Sequence, residues 1–183
     1  MLDACVLYPA PLRDFLMHLA LLDAFRAKWS EAIHDEWTRN LLENRADLRR
    51  EQLERIRELM NLHVRDALVE NHESLIETLE LPDADDRHVL AAAIHSQAEA
   101  IITFNLRDFP SEQLEKYGIE AVHPDDFIVL LIEEEAETVA EALKNQQRTL
   151  KNPPQTLKEI LATLENNGLK RTVERLRLLF SEG

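Results

Sequence analysis

Apolar and polar positions alternate along the chain in a pattern that predicts short buried strands separated by helices. Three runs have the composition of buried strands: residues 2–8, which contain one acid, residues 100–104 and residues 119–122. Apolar residues at helical spacing lie between them, most clearly in the alanine-rich segment after residue 86. This alternation predicts an α/β fold with a parallel sheet, in which functional groups collect beyond the carboxyl ends of the strands.

A helix predicted from residue 31 to about residue 43 carries an acid beside its apolar face. Ser30 precedes this helix as a capping residue, and Ile33, Trp37 and Leu41 recur at helical spacing. Glu36 lies next to that apolar stripe rather than opposite it. We therefore expect Glu36 to be half-buried.

The last third of the chain has a helical pattern only. Asp125 or Asp126 begins a helix, Pro153 and Pro154 interrupt the run, and Gly168 precedes a final helix. We interpret residues 1–127 as an α/β domain and residues 128–183 as a C-terminal helical appendage.

Composition narrows the classes of function. The 183 residues suffice for one domain with a proper core, no apolar run is long enough to span a bilayer, and no export signal is evident. The single cysteine, Cys5, fits a reducing cytoplasm. The three glycines do not form the phosphate-binding loop of a P-loop or Rossmann fold. Only two residues of the chain precede Asp3, the acid in the first predicted strand. We therefore expect either that the true start of the protein lies upstream of Met1 or that this edge of the sheet is short.

The net charge of −14 is unevenly distributed: residues 1–143 carry −18 and residues 144–183 carry +4. The acidic surface argues against non-specific binding of polyanions over the whole protein.

Oxygen ligands occur at four places that the predicted fold brings towards one another. Asp3 lies in a strand, Glu36 on a half-buried helix face, Asp86 at a helix start, and Asn105 and Asp108 after a strand. Hard divalent cations such as Mg²⁺ or Mn²⁺ prefer these ligands, and phosphodiester cleavage uses one or two such ions.

Each of these acids also has a simpler interpretation. Asp83 or Asp85 is expected to cap the helix that follows, and Asp86 alone would be a partner of the helix dipole. Glu36 alone would be a solvated helix acid. Asp3 is the hardest to dismiss, because an unpaired carboxylate within an apolar strand is costly.

Four motifs together resemble the PIN-domain family, in particular VapC-type toxins of bacterial toxin–antitoxin pairs with an extra C-terminal helical region. They are residues 3–9 (DACVLYP), 35–37 (DEW), 81–93 (LPDADDRHVLAAA) and 103–109 (TFNLRDF). The resemblance implies a three-layer α/β/α fold with a central parallel sheet and a Mg²⁺- or Mn²⁺-dependent ribonuclease. The family's first three acids fall on Asp3, Glu36 and Asp86, and its fourth acidic position is Asn105, a departure that Asp108 is placed to offset.

The resemblance also implies partners: an RNA substrate, a cognate antitoxin that enters the acidic pocket, and a second copy in a homodimer. Contacts to the RNA backbone would come from basic residues of the helices. The candidates are Arg45, Arg49, Arg50, Lys170, Arg171, Arg175 and Arg177.

Three alternatives remain open at this stage. A haloacid-dehalogenase-type phosphatase requires a second aspartate where Cys5 stands. A flap-endonuclease-like DNA nuclease shares the architecture and the metal chemistry. A catalytically degenerate PIN-like binding module would accommodate Asn105 and the short first strand.

Overall fold

The computed structural model describes residues 1–181, which fold into two compact units. One unit contains residues 1–8 and 27–123, and the other contains residues 9–26 and the described residues from 124 onward. The strands are β1 (Trp29–Ser30), β2 (Leu68–Val69), β3 (Ala100–Ile102) and β4 (Glu120–Val122). The helices are α1 (Ala4–Leu7), α2 (Ala10–Leu21), α3 (Glu31–Asn44), α4 (Arg50–His63), α5 (Glu73–Ile76), α6 (Arg87–His95), α7 (Ser111–Leu114), α8 (Pro124–Thr149), α9 (Leu157–Asn166) and α10 (Lys170–Ser181).

All strand pairs of the first unit are parallel. β1 pairs with β2 and β3 pairs with β4. The N-terminal segment lies between these pairs, since Leu2 donates its N–H to the Lys28 carbonyl at 2.8 Å and forms a parallel bridge with Ile102. The predicted α/β fold with parallel strands is therefore confirmed.

The first predicted strand is shorter than the pattern indicated. Only Leu2 pairs as a strand residue, and the chain turns into α1 directly after Asp3. The Asp3 carboxylate accepts the Ala4 N–H at 2.6 Å, so the acid caps this helix and ends the extended segment. The apolar residues that follow are buried in a helix, which a short apolar run cannot distinguish from a strand.

The helix that carries Glu36 begins where the sequence predicted. The Ser30 hydroxyl accepts the Ile33 N–H at 3.3 Å and caps α3. Ile33 and Trp37 are fully buried, whereas Glu36 is half-buried beside them. This burial fixes the face of α3 on which Glu36 lies.

The second unit is formed by α2 and the C-terminal helices. Apolar side chains of α2 such as Phe15 are fully buried, and Phe25 contacts Phe127 edge-to-face at 5.0 Å. α8 is interrupted by non-helical backbone angles at Glu135. The Asp125 carboxylate accepts the Thr172 N–H at 2.8 Å and thereby caps α10.

The predicted C-terminal helices are present. The predicted division into 1–127 and 128–183 stays a prediction, and residues 182 and 183 lie outside the described residues. None of the helices formed by residues 1–181 is both long and apolar enough to cross a lipid bilayer.

Candidate functional site

Asp3 is buried at the end of the first extended segment, with only 3% of its surface exposed. Its Oδ1 accepts the Ala4 N–H at 2.6 Å, and its Oδ2 accepts the Thr103 hydroxyl at 2.6 Å and the Cys5 thiol at 3.0 Å. Burial raises the pKa of Asp3, the hydrogen bonds from Thr103 and Cys5 oppose that shift, and the nearby charge of Glu36 adds to it. The sequence indicated that a carboxylate at this position would need partners, and the structure provides three hydrogen-bond donors to it.

Two of these partners are residues whose role the sequence did not reveal. The sequence linked Cys5 only to a reducing compartment, yet its thiol donates a hydrogen bond to Asp3 and its sulfur accepts the Phe104 N–H at 3.3 Å. Thr103 donates to Asp3 and accepts the Asn105 N–H at 2.9 Å. Burial, followed by the charge of Asp3, raises the pKa of the Cys5 thiol far above its usual range, so the thiol keeps its proton. The available sequence signal was the position of Cys5 two residues after an acid.

The three acids before α6 have different surroundings. Asp83 accepts the Asp85 N–H at 2.9 Å and caps a short 3-10 turn at residues 84–86, whereas Asp85 is exposed. Of the two acids expected to act as caps, Asp83 therefore caps this turn, and Asp85 does not, because its own backbone N–H is the capped donor. Asp86 directly precedes α6, and its side chain makes no capping hydrogen bond to that helix. Its carboxylate is therefore available to bind another group.

Asp86 is the electrostatic centre of the cluster. Burial is the largest cause that raises the pKa of its carboxyl, to about 7, and the remaining causes are the charges of neighbouring acids. These acids are Asp3, Asp108, Asp83 and Glu36. Predicted ligands from four separate segments thus lie close enough to repel one another.

Glu36 lies beside a histidine that the sequence gave no reason to single out. The Nε2 atom of His88 lies 3.3 Å from Oε2 of Glu36. The other ring nitrogen, Nδ1, is buried without a hydrogen-bond partner among the described residues. His88 thus links α6, which begins after Asp86, to the face of α3 that carries Glu36.

Asn105 and Asp108 lie in the turn that follows β3. Asn105 is exposed, and its N–H connects it to Asp3 through the Thr103 hydroxyl. Asp108 is half-buried and is one of the charges that act on Asp86. Of these two residues, Asp108 is the one that adds a negative charge to the cluster.

The donor set suits a hard divalent cation in its chemistry. Carboxylate oxygens are the preferred ligands of Mg²⁺ and Mn²⁺, and a cation would relieve the repulsion that raises the pKa of Asp86. Within residues 1–181, no three His, Cys, Asp or Glu side chains are already in a metal-holding arrangement. The carboxylates would therefore have to move closer together to bind an ion.

Several basic candidates for RNA contact are engaged with acids of their own unit. Arg45 contacts Asp47 at 2.7 Å, and Arg177 contacts Glu165 at 2.7 Å. The other pairs are Arg171 with Asp126, and Arg175 with Glu133 at 3.6 Å. These pairs are solvent-exposed, so each contributes little to stability and can be exchanged for a phosphate contact.

Comparison with known proteins gives two family matches. Residues 1–107 match the family described as PIN domain, and residues 124–178 match the family described as VapC50 C-terminal domain. A curated protein of Mycobacterium tuberculosis (strain ATCC 25618 / H37Rv), named "Putative ribonuclease VapC50", is 36% identical over 98 residues. That alignment covers 54% of this chain and 57% of the relative's own length. No solved structure matches the chain.

Proposed function

The chain belongs to the PIN-domain family, and from that premise we propose that it is a Mg²⁺- or Mn²⁺-dependent endoribonuclease. We further propose that it is the toxin of a type II toxin–antitoxin pair in the cytoplasm. The name of the M. tuberculosis relative and the match to the VapC50 C-terminal domain support this proposal.

The observation that carries the proposal is the accumulation of negative charge around Asp86. A carboxyl with a pKa near 7, surrounded by other acids, repels an RNA phosphate unless a cation lies between them. Asp3, Glu36 and Asp86 would hold the ion, with Asp108 beside them and Asn105 at the rim. When bound, a divalent ion lowers the pKa of water and stabilises charge on the phosphate during hydrolysis.

The remaining contributions come from the protein's own side chains. The hydrogen bonds from Thr103 and Cys5 fix the direction of the Asp3 carboxylate. Within residues 1–181, Glu36 has no such hydrogen bond, and its neighbour on α6 is the His88 ring, whose Nε2 lies 3.3 Å away. The site therefore has a ligand, Asp3, whose orientation is set by hydrogen bonds before an ion arrives, which reduces the cost of ordering it.

The acidity of this cluster also favours a basic partner. A cognate antitoxin that inserts a lysine or arginine would neutralise the same carboxylates and exclude the metal ion. We propose such an antitoxin and a homodimer as partners, by analogy with VapC-type toxins.

The test is cleavage of a pool of structured RNAs with Mg²⁺ or Mn²⁺, with and without excess chelator. Asp3→Asn and Asp86→Asn are expected to lose roughly a hundredfold or more of the rate, because changes to outer-shell partners of a metal already cost roughly 10–100-fold in affinity or activity. Asp85→Asn, a change on an exposed neighbour in the same turn, serves as the matched control and is expected to retain activity.

Each contrary outcome has a distinct meaning. Cleavage that survives chelation or both site variants contradicts the assignment of these residues. Activity on DNA flaps but not on RNA indicates a DNA nuclease. If the wild-type protein binds RNA or an antitoxin but cleaves nothing, the chain is a degenerate binding module.

A further inference from the structure

We propose that Cys5 is a positioning residue of this site: its thiol, together with the Thr103 hydroxyl, occupies one oxygen of Asp3 and leaves the other for the cation. This inference rests on the proposed metal site, but it concerns a residue that the family resemblance did not assign. It predicts that the hydrogen bond from the Cys5 thiol to Asp3 affects the affinity of the site for a metal ion.

The proton directions follow from the backbone donors on either side of the network. A backbone N–H can only donate, so the bond from Phe104 at 3.3 Å uses the sulfur of Cys5 as an acceptor. The one thiol proton is then available to Asp3 Oδ2, which lies 3.0 Å from the sulfur. The alternative acceptor for that proton, the Thr103 oxygen, is farther away at 3.4 Å.

The same logic applies to Thr103. Its oxygen accepts the Asn105 N–H at 2.9 Å, and its proton points to Asp3 Oδ2 at 2.6 Å. Two short relays therefore start at the consecutive backbone N–H groups of Phe104 and Asn105 and end on the same carboxylate oxygen. They connect the turn after β3 to the start of α1.

The two oxygens of Asp3 are left unequal. Oδ2 receives two donors, which fills its two acceptor positions, while Oδ1 receives the Ala4 N–H alone among the described residues. Oδ1 therefore retains one acceptor position that can hold a cation. Loss of the thiol would free a position on Oδ2 and let the carboxylate rotate.

The simpler interpretation is that Cys5 only fills space, and a pair of similar variants separates the two. Cys5→Ser keeps a hydroxyl donor of nearly the same shape, whereas Cys5→Ala removes the donor. A space-filling role predicts similar behaviour of both variants, because serine and alanine both fill less space than the sulfur of cysteine. A positioning role predicts that serine rescues what alanine loses.

The experiment is calorimetric titration of the metal-free protein with Mn²⁺, without RNA, together with thermal melts. We expect Cys5→Ala to weaken Mn²⁺ binding by roughly tenfold or more, the range found for residues that orient metal ligands. Cys5→Ser is expected to remain within about threefold of the wild-type affinity. Thr103→Val removes the second donor and is expected to behave like Cys5→Ala, which provides an independent variant if alanine at residue 5 does not fold.

The packing control is Val6→Ala, which removes apolar atoms from a fully buried side chain of α1. It is expected to lower the melting temperature but to leave Mn²⁺ affinity unchanged. Equal affinities for Cys5→Ala and wild type overturn the positioning role, as does a loss in Cys5→Ser equal to that in Cys5→Ala.

The readout separates this proposal from the ribonuclease assignment. If wild type binds Mn²⁺ with the predicted order of variants but cleaves no RNA, the positioning role stands and the proposed activity fails. If wild type cleaves RNA but Cys5→Ala binds Mn²⁺ with wild-type affinity, the proposed activity stands and the positioning role of Cys5 fails. Absence of Mn²⁺ binding by the wild-type protein overturns both.

Discussion

Replacement of Asp86 by asparagine is expected to stabilise the metal-free protein while it abolishes metal-dependent cleavage. The carboxyl is raised to a pKa of about 7 by burial and by the surrounding acids, from 3.8 in the unfolded chain. A raised carboxyl pKa means that the folded state binds a proton more tightly than the unfolded state does. As the pH rises from about 4 to about 7, the charged form of Asp86 therefore destabilises the fold.

The size of this effect follows from the shift. Three pKa units correspond to roughly 4 kcal/mol at about 1.4 kcal/mol per unit. Because Asp86 is half-exposed, solvent screening reduces this, and we expect about 1–2 kcal/mol at pH 8. For a chain of this length, 1 kcal/mol corresponds to roughly 2–4 °C, so the melting temperature of Asp86→Asn should exceed that of wild type by about 2–8 °C.

The assay is thermal denaturation in chelator, followed by circular dichroism at pH 8 and pH 4. The gain should be present at pH 8 and be largely lost near pH 4, close to the unfolded pKa of 3.8, because the folded carboxyl is protonated there and the unfolded one is partly protonated. Asp85→Asn removes an exposed charge from the same turn and should shift the melting temperature much less. A destabilised Asp86→Asn at pH 8, or a difference that is independent of pH, would refute the electrostatic reasoning.

Two further predictions concern a buried histidine and the turn after β3. His34 is buried and accepts the Trp37 indole N–H on Nδ1 at 3.0 Å, and burial lowers its pKa below 6.5. His34 should therefore make the free energy of unfolding fall as the pH drops below 6.5, and a His34→Asn variant whose stability in urea titrations changes between pH 6.5 and pH 5 by the same amount as that of its parent would contradict this. Asn105→Asp is expected to tighten Mn²⁺ binding several-fold in calorimetry, and Asp108→Asn to weaken it, because the first adds and the second removes a carboxylate; no change in either variant would place the ion away from this turn.

Elements with an unambiguous local signal were predictable from the sequence. Ser30 predicts the start of α3, because its hydroxyl can accept a hydrogen bond from the N–H of Ile33, and the structure contains that hydrogen bond. The apolar run at residues 100–104 is rich in β-branched residues and leads into an asparagine turn, and its residues Ala100–Ile102 form β3. In each case, residues close in sequence decide the outcome.

The first segment could not be predicted in this way, because distant residues decide it. The apolar run at residues 2–8 fits a strand or a buried helix equally well, and the outcome depends on Asp3. Its carboxylate is held by Thr103, about a hundred residues away in sequence, and caps α1 from that position. The role of Cys5 was missed for the same reason, since its partner Phe104 belongs to the turn after β3.

The acids before α6 show how structure distinguishes residues that sequence leaves equivalent. Asp83 satisfies a backbone donor and Asp85 faces solvent, so neither requires a cation. Asp86 has no capping bond, and its charge is opposed by burial and by acids from three other segments. Since this arrangement destabilises the metal-free fold, a ligand that binds the charged form stabilises the folded state by mass action. The proposed metal binding would therefore be coupled to stability through Asp86, and Mn²⁺ should raise the melting temperature of wild type more than that of Asp86→Asn.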